Sequence, residues 1–301
     1  MTGAHPRLIA ALRLVVTVAA LALVFRALGA GPILALLAQV SPLWVSVAVV
    51  ALAAQIALSA LRWQVTAGAL GVPIGRGQAL GEYWLSVLGN TLLPGGVLGD
   101  AGRIARMRNR AGLGLAAQSV VVERLAGQVA LAMAAGAGAV AWFWPTPGAL
   151  LGAVLGPVLL AWLGAVLKRA GHREAAPDRL TRALRPLHRA WLGAGVWRLQ
   201  VGLSAAILAC NLAGFWAAAQ AVGLTLPPMA ALYVLPLTLA AMLIPVTVNG
   251  WGLREGAAAA LWPVTGVLAT EAVAASVVFG LSALLAALPG LHVLQRTGRR
   301  V

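Results

Sequence analysis

Two short stretches constrain this chain more than anything else in it. The first is Leu92-Leu93-Pro94-Gly95-Gly96-Val97-Leu98-Gly99-Asp100-Ala101-Gly102-Arg103, and the second is Leu243-Ile244-Pro245-Val246-Thr247-Val248-Asn249-Gly250-Trp251-Gly252-Leu253-Arg254. Each joins an apolar pair to a proline, a glycine five residues beyond the proline and an arginine nine residues beyond it. Both interrupt apolar segments, where a helix breaker frees backbone groups that lipid cannot satisfy and a full charge is costly. A matched pair of broken hydrophobic segments is the sequence sign of a transporter-type binding site.

The surroundings of the two breaks are those of a membrane protein. Of 301 residues, 61% are hydrophobic and only 10% charged, against about 25% charged in a globular domain, and the mean hydropathy is +0.91. The expected class is an all-α polytopic membrane protein. A single cysteine, Cys210, excludes a disulfide within the chain and argues against a cysteine metal cluster, so neither metal nor cofactor is expected. The net charge of +15 does not indicate nucleic-acid binding, because the basic residues fall between apolar segments, as in cytoplasmic loops. Met1 to Arg7 followed by an apolar run reads as the start of an uncleaved first span.

About six full transmembrane helices are predicted, over 8–28, 43–66, 113–142, 148–167, 199–221 and 269–294, each near the roughly 20 residues that cross a bilayer. Residues 78–110 and 229–263 hold the breaks and read as two re-entrant helical hairpins. Residues 78–93 make a helix of about 24 Å, short of the ~30 Å hydrocarbon core. Arg7, Arg13, Arg62, Arg76, Arg106, Arg108, Arg110, the basic 168–198 loop and Arg296, Arg299 and Arg300 all fit on one side, which places both termini in the cytoplasm. A bacterial inner-membrane location follows. Trp142, Trp144 and Trp262 stand where either interfacial anchoring or packing between helices is expected. Leu180, Leu184, Leu187 and Trp191 give the basic loop an amphipathic spacing.

With that orientation, the repeat 43–142 (hairpin 78–110) and the repeat 199–294 (hairpin 229–263) run in opposite senses, forming an inverted-topology repeat within one integral membrane domain, 1–301. The break residues Pro94, Gly95, Gly96, Gly99, Pro245, Gly250 and Gly252 then lie near mid-depth. The second helix of each hairpin starts inside the membrane and presents free amides and a positive dipole end there. Asp100 is expected to cap one such helix, and Thr247 or Asn249 the other. Arg103 and Arg254 are expected about one turn in. Guanidinium holds phosphate through paired hydrogen bonds, and helix N-termini favour anions. Glu82, Glu123, Arg124, Glu255 and Glu271 supply further charge nearby, with two readings open: arginine partners in a structural ion pair, or groups that meet a substrate or a coupling proton.

At these residues the chain resembles a known family. Asn90-Thr91-Leu92-Leu93-Pro94-Gly95-Gly96, Gly99-Asp100, Arg103, Glu123-Arg124 and Ile244-Pro245 through Gly250-Trp251-Gly252-Leu253-Arg254-Glu255-Gly256 look like the lysylphosphatidylglycerol synthase transmembrane family of flippase-like proteins. The resemblance implies handling of lipids with charged headgroups, and carries roles to Asn90, Pro94, Gly99, Asp100, Arg103, Glu123, Arg124, Pro245, Gly250, Gly252, Arg254 and Glu255. Leu98, where glycine is expected, and Trp251, where an aliphatic residue is usual, depart from the pattern and bear on headgroup preference.

The leading expectation is therefore a lipid flippase or transporter. It would bind an anionic headgroup (phospholipid, polyprenyl phosphate or glycolipid precursor) through Arg103, Arg254, Asp100, Asn90, Asn249, Glu123, Arg124 and Glu255. A small-anion or proton-coupled transporter, and a non-transporting scaffold for an envelope-lipid biosynthetic enzyme, are the alternatives. Enzymatic activity is not expected: the sequence has no nucleotide-binding loop and no pairing of a nucleophile with histidine, and 168–198 is too short for an aminoacyl-transferase.

Overall fold

The computed structural model describes residues 4–93, 96–143, 185–193, 195–244 and 246–298. Every regular element among them is helical: α1 (Ala4–Leu28), α2 (Ala30–Ala38), α3 (Pro42–Ala69), α4 (Arg76–Leu92), α5 (Leu98–Phe143), α6 (Trp197–Ala221), α7 (Pro228–Ala240), α8 (Leu253–Leu261), α9 (Ala269–Ala287) and α10 (Pro289–Gly298). Short 3₁₀ turns at Ala241–Leu243 and Trp262–Thr265 and a π turn at His188–Leu192 complete the set.

Five helical stretches are long and apolar enough to cross a membrane: Ala10–Leu28, Pro42–Ala69, Leu98–Val140, Trp197–Ala221 and Ala269–Gln295. They overlap five of the six expected spans, and Leu98–Val140 also takes in residues 98–110, which were expected as the second arm of a re-entrant hairpin. The sixth, 148–167, lies outside the described residues, as do most of the 168–198 loop, Pro94, Gly95, Pro245, Trp144 and the side chain of Trp142. From that loop, Trp191 is described and donates from its indole to the Val122 carbonyl on α5 (3.3 Å).

α3 and α6 form the central pair. Ser41 N–H donates to the Ala221 carbonyl (2.9 Å) at one end, and Gln200 donates to Thr66 Oγ1 (2.9 Å) near the other. Sequence numbers rise along one helix as they fall along the other, so the two run antiparallel. α9 covers them through Phe279, which stacks on Phe215 with ring centroids 4.6 Å apart. Phe215 also meets Trp262 at 5.4 Å. Trp262 is buried and donates to Thr238 Oγ1 (2.9 Å), so of its two expected roles it takes packing between helices.

The first break separates two antiparallel helices. Gln78 meets Arg110, Glu82 meets Arg106, and Ser86 meets Asp100, each at 2.7 Å. Their closest approach is at Gly99, where an added Cβ would collide with the Ser86 carbonyl. Gly99, expected in the break, is thus the second residue of α5, and what it provides there is close contact with α4. The expected boundary between 110 and 113 is Gly112, whose φ of 73° and ψ of 156° interrupt the long α5. Beyond it the spanning arm approaches α7 so closely that a Cβ on Gly138 would lie 3.1 Å from the Tyr233 backbone, the close packing that small residues permit.

The second break differs in length. Asn249, Gly250 and Gly252 have φ of 49°, 75° and 86°, which a right-handed helix cannot contain. α8 therefore starts at Leu253, whereas α5 starts at Leu98. Arg254 is consequently the second residue of its helix and Arg103 the sixth, so the two arginines do not occupy the common depth along their helices that the motif spacing suggests. α1 supports this turn: Val248 N–H donates to Thr17 Oγ1 (2.8 Å), and a Cβ on Gly252 would lie 2.5 Å from Ala20 Cβ. The tips of the two breaks meet, with the Cβ position of Gly96 lying 3.9 Å from the Asn249 nitrogen.

Candidate anion-binding site

The start of α5 is held by the helix before it. Asn90 on α4 accepts, through Oδ1, the Gly99 and Asp100 amide N–H groups (2.8 and 3.3 Å), while its Nδ2 donates to Asp100 Oδ2 (3.1 Å). The expectation that Asp100 caps α5 is corrected accordingly. Asp100 is the third residue of the helix, and its carboxylate turns to side chains. Ser86 donates to Oδ1 (2.7 Å), Arg103 Nη2 to Oδ1 (2.9 Å) and Arg124 Nε to Oδ2 (2.8 Å).

Arg103 is fully buried. Its guanidinium lies over the rings of Trp63 (4.3 Å) and Tyr83 (4.7 Å), an arrangement that stabilises a desolvated cation. Its Nη2 is also 3.7 Å from Oε2 of Glu123, itself fully buried. Glu123 Oε1 accepts from Arg62 Nη2 (2.8 Å) and from the Tyr83 hydroxyl (3.1 Å).

Arg62 is the residue that sequence reasoning misplaced. It was expected among the loop charges that set orientation, yet it lies within α3, 3% exposed. The usable signal was an arginine beside Trp63 within an apolar run, seven residues before the end of α3. Tyr83 and Trp63, whose indole donates to Ser119 Oγ (3.2 Å), were likewise not anticipated.

Three guanidinium groups (Arg62, Arg103 and Arg124) thus face two carboxylates (Asp100 and Glu123), leaving one positive charge in surplus. Nε and Nη1 of Arg103 and Nε of Arg62 are buried donors without a hydrogen-bond partner. Leaving such donors unmet costs about 1–3 kcal/mol each, and more when charged. Arg124 is the accessible member, with 40% of its side chain exposed.

The second arginine is in a different state. Arg254 donates from Nε and Nη2 to Glu255 Oε1 (3.1 and 2.6 Å) and from Nε to Ser276 Oγ (2.9 Å), and Ser276 donates to the same carboxylate oxygen (2.8 Å). Trp251 and Phe279 flank it at 4.9 and 5.2 Å. Glu255 Oε2 accepts the Gly252 N–H (2.6 Å), a helix-start role that was expected of Thr247 or Asn249. Thr247 Oγ1 is instead buried without a partner, and Asn249 stands at the turn tip. This cluster is charge-neutral, and among the described residues no hydrogen bond or ion pair joins it to Arg103. Nor, among them, could any group of three or more His, Cys, Asp or Glu residues hold a metal ion.

The breaks, the buried charges and all but the last five residues of the membrane-spanning stretches sit within the part matched by one family model, that of the lysylphosphatidylglycerol synthase TM region, which covers residues 10–290. The chain belongs to that family. No curated protein and no solved structure matches it. As a member of the lysylphosphatidylglycerol synthase TM-region family it is a multi-pass membrane protein with a link to lipid metabolism. Of the two positions that depart from the expected pattern, Trp251 packs on Arg254 and Leu98 is the exposed first residue of α5.

Proposed function

We propose that this protein holds the anionic headgroup of a membrane lipid at the Arg103 cluster and carries it between leaflets, without chemical change to the lipid. The observation behind this reading is the surplus positive charge at a buried site where Arg103 Nε and Nη1 have no hydrogen-bond partner. A phosphate oxygen supplies the missing acceptors and neutralises the surplus at once. Arg124, the exposed member, is the first group such an anion meets, and the acyl chains remain in the bilayer.

The same reading takes the helix pairs α4–α5 and α7–α8 as re-entrant, entering from opposite faces, with both termini cytoplasmic in a bacterial inner membrane. The meeting of Gly96 with Asn249 supports it, because tips of hairpins entering from opposite sides meet at mid-depth. Arg254 keeps a structural place in this scheme, since Glu255 and Ser276 already use its donors.

The test is reconstitution into vesicles carrying fluorescent phosphatidylglycerol, with dithionite quenching to follow lipid movement and native mass spectrometry to follow retained lipid. Arg103→Gln is expected to lose both retention and movement while expressing normally. Movement at the wild-type rate in that variant overturns the assignment. Inorganic phosphate that is taken up in place of lipid points to a soluble-anion transporter.

A further inference from the structure

The α3–α6 interface is more polar than helix packing requires. Thr66 faces Gln200 (2.9 Å) and Arg62 faces Ser204 (3.2 Å), and continuing that antiparallel spacing brings Ser59 level with Ile207 and Gln55 level with Asn211. Just beyond, a Cβ on Gly214 would lie 2.9 Å from Leu52 Cγ, so the same register continues as close apolar packing. That apolar part shows how the two helices associate without polar groups.

On α3 the polar part runs through Thr66, Arg62, Ser59 and Gln55, and on α6 it is broken once, by the buried Ile207. Thr66 to Gln55 covers eleven residues, or about 16 Å of helix, and lies inside two helices that are each long enough to span the membrane. Gln55 donates to Ser59 Oγ (2.9 Å) and Asn211 to the Ile207 carbonyl (3.2 Å), so each is satisfied within its own helix and neither is needed to tie α3 to α6. Both are only half-buried. Gln200 Oε1 and Arg62 Nε are buried without partners. Arg62 belongs to this strip and to the Arg103 cluster together, through Glu123.

We infer that this seam is the path along which the polar headgroup travels after leaving the Arg103 cluster, through Arg62 and Ser204 to the amides of Gln55 and Asn211 near the middle of α3 and α6. The inference rests on the lipid-moving function proposed above. Its chemistry suits transit. Charged groups hold an anion at the cluster, whereas uncharged amides and hydroxyls spaced about a helical turn apart replace its hydration in steps weak enough to leave, which is what passage through a multi-site path demands. The occupant is the phosphodiester and its polar substituent, with the tails beside the helices in lipid.

The experiment compares movement with retention of fluorescent phosphatidylglycerol in the same reconstituted protein. In a Gln55→Leu/Asn211→Leu variant, retention is expected to stay within twofold of wild type while the rate falls at least tenfold. A Gln55→Asn/Asn211→Gln variant, which keeps the amides, is expected to recover most of the rate. A leucine variant that moves lipid within twofold of the wild-type rate overturns the seam and leaves the Arg103 assignment standing. If the leucine variant loses retention and the amide-keeping variant moves lipid no faster, the seam is structural and the inference also fails. Wild-type protein that retains lipid but never moves it defeats both readings together.

Discussion

Arg62 Nη2 lies 2.8 Å from Glu123 Oε1, and both side chains are closed off inside the helical bundle. This pair ties α3 to α5 at the point where Tyr83 and Arg103 also reach the same carboxylate. Stripping one partner from a buried pair costs about 3–5 kcal/mol, because the other charge is left uncompensated, whereas replacing both is far milder. Arg62→Met is therefore expected to lower the melting temperature in detergent strongly, and Arg62→Met/Glu123→Gln to recover a large part of the loss. Equal melting temperatures for wild type and Arg62→Met contradict the pair.

Asp100 competes with any incoming anion for Arg103 and Arg124. Asp100→Asn keeps the size of the side chain and raises the surplus charge of the cluster by one. Phosphatidylglycerol is expected to be retained severalfold more tightly by this variant and to be released more slowly. Native mass spectrometry at increasing collision energy reads the first effect and dithionite quenching the second. Weaker retention goes against a site that acts through its charge.

The meeting of the two breaks is open to direct chemistry. In a Cys210→Ala background, Gly96→Cys and Asn249→Cys together are expected to link under a short bifunctional maleimide, because the Gly96 Cβ position lies 3.9 Å from the Asn249 nitrogen. Protease cleavage between the halves followed by a denaturing gel shows whether they stay joined. Two separate fragments mean that the tips are apart.

Glycine positions give a graded series. Gly252 combines a φ of 86° with contact to Ala20, so Gly252→Ala adds backbone strain to overpacking, together about 2–4 kcal/mol. A Cβ on Gly256 meets nothing within 4 Å, and Gly256→Ala in the same helix is expected to be neutral or slightly stabilising. Thermal melting of the two proteins side by side checks the ordering.

The breaks and the buried charges were legible in the sequence because apolar context makes a proline, a glycine or an arginine conspicuous. Arg103, Asp100 and Glu123 come together as their isolation in apolar segments suggests. Arg62 was hidden by its location toward the end of an apolar segment, where a helix end and a loop charge look alike in one dimension. The helix caps were misread for a related reason. Asn90 caps α5 from across the turn and Glu255 serves α8 from its third position, and neither relation is fixed by the motif spacing alone. The unequal depth of Arg103 and Arg254 in their helices has a backbone cause, the left-handed residues 249, 250 and 252, which delay the second helix beyond what a simple shift of 151 residues predicts.

The bond from the Val248 amide to Thr17 has a consequence for biogenesis. α1 is synthesised more than two hundred residues before the turn it supports. Until that turn is made, Thr17 and Ala20 lack the partners that Val248 and Gly252 give them in the folded bundle. The contact between this helix and the turn can therefore close only once residue 252 has been made, when α2 to α7 already lie between them in the chain.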